Sequence, residues 1–195
     1  MDQTYLLKEY ELCFEQLRFY DTRHEDLTKY LFSLTSGVTA AEFAILQFLK
    51  STTPTFFASL AALSLIVFVA TILLYVAMLQ NRLYFVFVSR QINAIRRFLM
   101  TTGATDFTDN QLYTRTDLPA FRLRSLHTAH LVGAALVSSL FAGSMMYALV
   151  SSRTDVNPGA IASITVCAVA CVEVVLGVVY LQSAGRESAN ELLAR

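Results

Sequence analysis

The hydrophobic and polar positions of this chain divide it into long uncharged runs separated by shorter charged segments. Residues 51–81 contain no Lys, Arg, Asp or Glu, and neither do residues 125–152. A hydrocarbon core of about 30 Å needs about 20 apolar residues of helix, so each run is long enough to cross a bilayer once. Residues 156–185 hold a single acid, Glu173, in a stretch rich in Val and Ala, and this pattern predicts another crossing.

A shorter apolar stretch precedes these runs at residues 30–49, with Glu42 inside it. It is just long enough to span a bilayer, and we interpret it as the first crossing; the alternative is a helix buried against the bundle. The pattern therefore predicts an all-α polytopic membrane protein with four transmembrane helices and cytoplasmic helical extensions. The predicted crossings are residues 30–49, 54–80, 127–151 and 158–182.

Residues 1–29, before the first crossing, have the pattern of an amphipathic cytoplasmic helix. Apolar or aromatic side chains recur at intervals of four and three, and this seam predicts a helix that packs one stripe on a partner. Two partners stay open: the chain's own central region, which the short length of the seam favours, and a second chain in a coiled coil. The seam consists of Leu6, Tyr10, Cys13, Leu17 and Tyr20, and His24 and Leu27 continue its spacing.

Residues 81–125 separate the second and third crossings and begin with helical spacing. Val88, Ile92, Ile95 and Leu99 recur at intervals of three and four, so we expect the second crossing to continue as one long helix. Residues 101–119 are polar and contain turn formers without periodicity, which predicts a loop. A tail of residues 183–195 follows the last crossing.

The distribution of basic residues predicts the orientation of the crossings. All but two of the 15 Lys and Arg residues lie in segments 1–29, 82–124 and 186–195, and only Lys50 and Arg153 remain for the opposite side. The positive-inside rule then places both termini and the central region in the cytoplasm. A formal net charge of zero gives no global field that would attract nucleic acid, and we expect no direct binding to it.

Composition argues for lipid as the solvent and against enzyme chemistry. The chain is 55% hydrophobic and 15% charged, with a mean hydropathy of +0.50, which is too apolar for an ordinary soluble domain. It has no nucleophile-elbow serine, no Cys-x-x-Cys and no His and acid at metal-ligand spacing, so we expect no enzyme activity, cofactor or metal. Cys13, Cys167 and Cys171 are interpreted as packing residues in a reducing compartment or the membrane.

Polar residues inside the predicted crossings are the first candidates for function. Glu42 and Glu173 each lie near mid-span, where an unpaired charged carboxyl group costs several kcal/mol. They favour either an ion or proton path or a pair of structural, hydrogen-bonded acids, and the sequence leaves both open. Ser138, Ser139 and Ser163 lie among small residues spaced four apart, which favours helix packing within one chain over a pore lining or a contact between chains.

Basic residues next to the second and third crossings form a second candidate site. Such residues commonly set topology and contact anionic lipid headgroups, which is the interpretation we favour. Arginine clusters also suit a cytoplasmic partner or an anionic ligand such as a nucleotide second messenger. The candidate basic patch consists of Arg90, Arg96, Arg97, Arg122 and Arg124.

The layout, with the sequence QNRLYFVFVSRQINAIRRF at residues 80–98, resembles small bacterial membrane effectors of the SLATT type and the four-span membrane subunit of the Kiwa anti-phage system. This resemblance implies an oligomer in the bacterial inner membrane that perturbs or senses the membrane during phage infection, and it assigns no functional residues. The cytoplasmic region between crossings two and three also resembles that of proton-driven stator and energy-transducing subunits. Small four-span drug exporters have a glutamate in span one, at the position of Glu42.

Three functional hypotheses follow. The first is a non-enzymatic homo-oligomer, taken as a tetramer, that acts as a pore-forming or membrane-sensing effector under a cytoplasmic partner contacting the N-terminal helix and residues 82–124. The second is a proton- or ion-coupled small transporter that uses Glu42 and Glu173. The third is a membrane anchor that recruits a soluble enzyme.

Overall fold

The computed structural model describes residues 3–48, 53–102, 116–151 and 156–193, which fold as four α-helices with short connecting segments. These are α1 (Gln3–Phe48), α2 (Pro54–Thr101), α3 (Leu126–Val150) and α4 (Pro158–Leu193). All four are long and apolar enough to cross a membrane. The prediction of an all-α chain with four such helices is confirmed.

The predicted crossings and extensions join into helices longer than a bilayer requires. α1 runs without a break through residues 3–48, although the pattern suggested two segments with different surroundings. Gly37 is its only Gly and it contains no Pro, so nothing in the sequence forces it to end early. α2 likewise continues as one helix to Thr101, beyond the uncharged run.

Two helix starts are set by proline and a capping side chain. Pro54 and Pro158 each occupy the first helical position, where the missing N–H costs nothing. Before α4, the Asn157 side-chain oxygen accepts hydrogen bonds from the Gly159 and Ala160 amides at 3.0 and 3.2 Å. Before α2, the Thr53 hydroxyl oxygen accepts a hydrogen bond from the Phe56 amide at 3.3 Å. These contacts satisfy amide donors that a helix start leaves open.

The chain divides into two compact units. The charged unit comprises residues 1–25, 79–122 and 178–195, and the apolar unit comprises residues 26–78 and 123–177. Most of the Lys and Arg side chains belong to the charged unit, whereas the uncharged runs form most of the apolar unit. Each unit has its own buried side chains, such as Cys13 and Ile92 in the first and Val67 and Ala134 in the second.

The core of the apolar unit is built on the small residues of α3. Their side chains are buried, so this face packs within one chain, as the sequence favoured. Gly143 lies at a close approach to α4: a Cβ atom there would lie 2.5 Å from Val166 Cγ2 and 3.1 Å from the Ala162 carbonyl oxygen. The buried small residues are Ala134, Ala135, Ser138, Ser139, Ala142 and Gly143.

Gly143→Ala is expected to destabilise the protein by about 1–3 kcal/mol, because the new methyl group overlaps α4 and the two helices must separate. Gly133→Ala, on the same helix, is the matched control, since a Cβ atom there meets nothing within 4 Å. Helix propensity predicts that the control is neutral or stabilising by up to about 1 kcal/mol. Thermal unfolding of both variants in detergent measures the difference, and equal midpoints would contradict the close α3–α4 packing.

The seam of the N-terminal helix packs on α2 within the charged unit. Leu6 and Cys13 are buried, and Tyr10, Leu17 and Tyr20 are half-buried. The Asn81 side-chain amide donates a hydrogen bond to the Tyr20 carbonyl oxygen at 2.8 Å. The rings of Tyr20 and Tyr84 stack with centroids 5.7 Å apart. Of the two partners that the sequence left open, these contacts are with the chain's own central region.

Cys13 behaves as a packing residue in this seam. Burial raises the pKa of its thiol, and the nearby Glu9 carboxylate acts in the same direction. A thiol with a raised pKa stays protonated near neutral pH and is a poor nucleophile.

Candidate functional site

Glu42 lies at one end of a chain of hydroxyl groups inside the apolar unit. The Ser64 hydroxyl on α2 is within hydrogen-bond distance of two oxygen atoms: Glu42 Oε1 on α1, at 3.1 Å, and Ser144 Oγ on α3, at 3.1 Å. Ser64 is fully buried, whereas Glu42 and Ser144 are half-buried. The three side chains therefore connect three helices through polar contacts in an apolar surrounding.

Glu42 and Ser144 line a partly open pocket of about 230 Å³ between α1 and α3. A water molecule takes about 30 Å³ in the liquid, so the pocket has room for several waters or an ion with part of its hydration shell. Polar and apolar side chains share the wall, and Glu42 is the only ionisable residue among the described residues that line it. The lining residues are Thr35, Thr39, Glu42, Val137, Leu140, Phe141 and Ser144.

Glu173 has different surroundings from Glu42. Its Oε1 atom accepts a hydrogen bond from the Ser138 hydroxyl on α3, and its main-chain carbonyl oxygen accepts one from the Tyr75 hydroxyl on α2 at 2.8 Å. Its Oε2 atom is buried without a hydrogen-bond partner among the described residues. Glu173 does not line the pocket of Glu42.

The two acids thus belong to separate clusters. Each pairs with its own serine, Ser64 for Glu42 and Ser138 for Glu173, and no hydrogen bond joins the carboxyl groups in the described part of the chain. A path running from one acid to the other has no support in these contacts. Each acid has a serine hydroxyl as its partner, but of the two acids Glu42 alone lines this pocket.

The three serines proposed as a pore lining do not share one surface. Ser138 and Ser139 are fully buried, and the Ser139 hydroxyl donates to the Leu136 carbonyl oxygen at 2.8 Å. Ser163 is exposed on α4 and donates to the Gly159 carbonyl oxygen at 2.9 Å. Each hydroxyl therefore has a hydrogen-bond acceptor on its own helix, and the Ser138 hydroxyl also donates to Glu173.

The candidate basic patch also divides into buried and exposed members. Arg90 is buried and Arg96 is half-buried, whereas Arg97, Arg122 and Arg124 are exposed. Arg90 donates through Nε and Nη2 to the Leu118 carbonyl oxygen, at 3.0 and 2.6 Å, and through Nη1 to the Gly185 carbonyl oxygen at 2.7 Å. It connects α2, the segment before α3 and the end of α4, which makes it a structural residue of the charged unit.

Burial also affects the charge of this arginine. It lowers the pKa of the Arg90 guanidinium, and the Asp117 carboxylate opposes that shift. Arg82, which sequence reasoning did not single out, makes a similar contact: it is buried, and its Nε donates to the Ala120 carbonyl oxygen at 3.1 Å. Two arginines of α2 thus hold the segment that leads into α3.

Arg96 fastens the N-terminal helix to α2. Its Nε donates to the Tyr10 hydroxyl at 2.8 Å, and its guanidinium carbon lies 5.6 Å from the ring centroids of both Tyr10 and Phe14. Stacking and hydrogen bonding of this kind suit arginine because its planar group donates and stacks at once.

Arg96→Ala is expected to loosen the first part of α1 by about 1–3 kcal/mol, because it removes both a charge-assisted hydrogen bond and the ring contacts. Hydrogen–deuterium exchange in the peptides that cover residues 4–20 should become faster. Arg97→Ala, at the exposed neighbouring position, is the control and should leave exchange unchanged. Equal protection in the two variants would show that Arg96 does not hold this helix.

Several partner residues were missed by sequence reasoning: Ser64, Ser144, Tyr75 and Arg82. A serine inside an apolar run gives no signal of its own, since most such hydroxyls bond to their own helix. No group of three His, Cys, Asp or Glu side chains suited to a metal ion occurs among the residues that the structure describes.

Comparison with models of protein families, with curated proteins and with solved structures found no match for this chain.

Proposed function

We propose that this chain is a four-span protein of a bacterial inner membrane, with both termini in the cytoplasm, that exchanges protons at Glu42 in step with the movement of a cation. The pocket beside Glu42 is the observation that carries this proposal. A carboxyl group that takes up and releases protons must contact water or a solute, and Glu42 lines an open space. Glu173 is assigned a structural role, because its Oε1 atom accepts a hydrogen bond from Ser138 and its Oε2 atom is buried.

The membrane assignment is supported by two independent features of the chain. Four helices have the length and apolar character of membrane spans. The basic residues lie almost entirely in the segments that four crossings would place on one side, which is the bias that orients inner-membrane proteins. Glu42 then lies near the middle of its span, where an ionisable side chain is costly and commonly marks an ion or proton path.

The lining of the pocket suits a small cation. Thr35, Thr39 and Ser144 supply hydroxyl oxygens around the carboxyl group of Glu42, and hydroxyl and carboxylate oxygens are ligands of hard monovalent and divalent cations. No basic side chain lines the pocket in the described part of the chain, so a carboxylate there has no competing cation among those residues. A proton and a metal cation can therefore compete for the same oxygen atoms.

We also propose that the protein works as a homo-oligomer. The pocket is partly open, and an open pocket that holds a carboxyl group at membrane depth is better covered by another protein surface than by lipid tails. Beside it, α1 presents exposed small residues, including Ser33, Gly37 and Ala41, which permit close helix approach. Native mass spectrometry of nanodisc-embedded protein tests this part, and a monomer at all concentrations would refute it.

Proton movement is tested with purified protein in liposomes that enclose a pH-sensitive dye. A sodium or potassium gradient is imposed at constant external pH, and the internal pH is recorded. We expect a gradient-dependent pH change that empty liposomes do not show. A pH trace equal to that of empty liposomes for both ions and both gradient directions would refute the proposal.

The effector, channel and anchor hypotheses, and control by a cytoplasmic partner, stay predictions from the sequence. The exposed members of the basic patch are Arg97, Arg122 and Arg124, and these are the residues at which a partner or lipid headgroup is to be sought.

A further inference from the structure

The hydrogen bonds that link Glu42, Ser64 and Ser144 can be ordered in two opposite directions, because each serine hydroxyl has one hydrogen atom to donate. Ser64 lies within 3.1 Å of both Glu42 Oε1 and Ser144 Oγ. Its single hydrogen can point to only one of these oxygen atoms, and its lone pairs must face the other. The protonation state of Glu42 therefore decides in which direction these hydrogen bonds are donated.

When Glu42 is ionised, its carboxylate can only accept. The Ser64 hydrogen then points to Glu42, and the Ser64 oxygen is left to accept the hydrogen of Ser144. Each of the two oxygen–oxygen contacts then contains one hydrogen atom, and the lone pairs of Ser144 face the pocket that it lines. In this state the pocket offers a carboxylate and a second acceptor oxygen to a cation.

When Glu42 is protonated, the hydrogen bonds can be donated in the opposite direction, from Glu42 through Ser64 to Ser144. The carboxyl hydrogen points to the Ser64 oxygen, the Ser64 hydrogen points to Ser144, and the Ser144 hydrogen is left over. That hydrogen has the pocket as its open direction. The pocket then loses its negative charge and also gains a donor group, which repels a cation.

We propose that Ser64 is a positioning residue that reverses the order of these hydrogen bonds when Glu42 gains a proton, so that a lone pair of Ser144 Oγ coordinates a bound cation in one state and the Ser144 hydrogen faces the cation site in the other. This inference rests on the proposed function. It gives the mechanism by which a proton on Glu42 and a cation in the pocket exclude each other. No covalent bond other than the transferred O–H is made or broken, and the proton released from Glu42 passes to water in the pocket.

Among the residues that the structure describes, no second ionisable group lines the pocket to share this role. α2 presents Ser64 and carries no charged residue between residues 54 and 81, and Glu42 is the only ionisable residue in the lining. The other titratable or charged residues described in the apolar unit are Asp26, Lys29, Tyr30, Tyr75, Arg124, His127, His130, Tyr147, Cys167, Cys171 and Glu173.

The test measures proton release from detergent-purified protein when sodium or potassium chloride is added, read with a pH dye in weakly buffered solution. Wild type should release protons, and Glu42→Gln should not. Ser64→Ala should shift the cation concentration for half release upward by about tenfold, the equivalent of one lost hydrogen bond. Ser64→Thr, which keeps the hydroxyl, should restore release, and Ser144→Ala should resemble Ser64→Ala.

Ser138→Ala is the matched control, since it removes a buried serine that bonds to the other acid, Glu173. It should release protons as wild type does. Infrared difference spectra with and without the cation give a second readout: the band of the protonated Glu42 carboxyl group should disappear on cation addition in wild type and should shift in frequency in Ser64→Ala.

The outcomes separate this inference from the function on which it rests. Release in wild type and its loss in Glu42→Gln, with Ser64→Ala and Ser138→Ala both unchanged, would overturn the role of Ser64 alone. Equal weakening in Ser64→Ala and Ser138→Ala would also overturn it, because the effect would then follow from lost packing. Absence of release in wild type, with wild-type liposomes that also show no flux, would overturn the proposed function itself.

Discussion

Replacement of Glu42 by Gln is expected to reduce gradient-driven proton flux in liposomes to the level of empty vesicles. Glutamine keeps the size and the hydrogen-bonding oxygen of the side chain, so Ser64 retains an acceptor, but it cannot bind and release a proton. The pocket itself should remain, because its lining residues are otherwise unchanged. Flux is measured as the rate of internal pH change at a fixed cation gradient.

Glu173→Gln is the matched control for this variant. Its carboxyl group bonds to Ser138 and does not line the pocket, so flux should stay within about twofold of wild type, the effect of a small structural change. Loss of flux in Glu173→Gln with retention in Glu42→Gln would reverse the roles given to the two acids. Retention in both would remove carboxyl groups from the mechanism.

Arg90→Met is expected to cause the largest loss of stability in the charged unit. The guanidinium makes three hydrogen bonds to two main-chain carbonyl oxygens, those of Leu118 and Gly185, and it is 3% exposed. Methionine fills much of the space but leaves both carbonyl oxygens without this donor, which costs about 2–5 kcal/mol in total. The contact between α2 and α4 in this unit should open first.

Limited proteolysis and hydrogen–deuterium exchange around residues 116–122 and 178–186 measure this loss. Arg97→Met is the control, because Arg97 is exposed on the same helix and should change stability by no more than about 0.5 kcal/mol. Arg90→Lys should fall between the two, since an ammonium group cannot fork between the carbonyl oxygens as a guanidinium does. Wild-type protection in Arg90→Met would show that the arginine is dispensable.

The helices could be predicted from the sequence because their causes are local. An apolar run longer than 20 residues with at most one charged residue, a proline at the start and a charged segment beyond it are enough to place α2 and α4. The seam of α1 could be predicted for the same reason, since spacing alone puts Leu6 and Cys13 on one side of a helix.

The partners of the candidate residues could not be predicted. Glu42 stands out in an apolar stretch, but its contact with Ser64 depends on how α1 and α2 are rotated about their axes, which spacing does not fix. Arg90 looked like part of an exposed basic patch, whereas the structure buries it against carbonyl oxygens 28 and 95 residues away in sequence. Contacts between distant main-chain groups leave no mark in the pattern of side chains.

The central claim is that Glu42 is a membrane-embedded carboxyl group that lines an open pocket and exchanges protons there, whereas Glu173 does not line that pocket and is structural. A hydrophobic carbodiimide, which attacks protonated carboxyl groups in apolar surroundings, tests it directly in lipid-embedded protein, with the modified residue identified by peptide mass spectrometry. We predict modification at Glu42, reduced by raising the pH or by adding sodium or potassium, and little at Glu173. Preferential modification of Glu173, or none at Glu42 under any condition, would contradict the account.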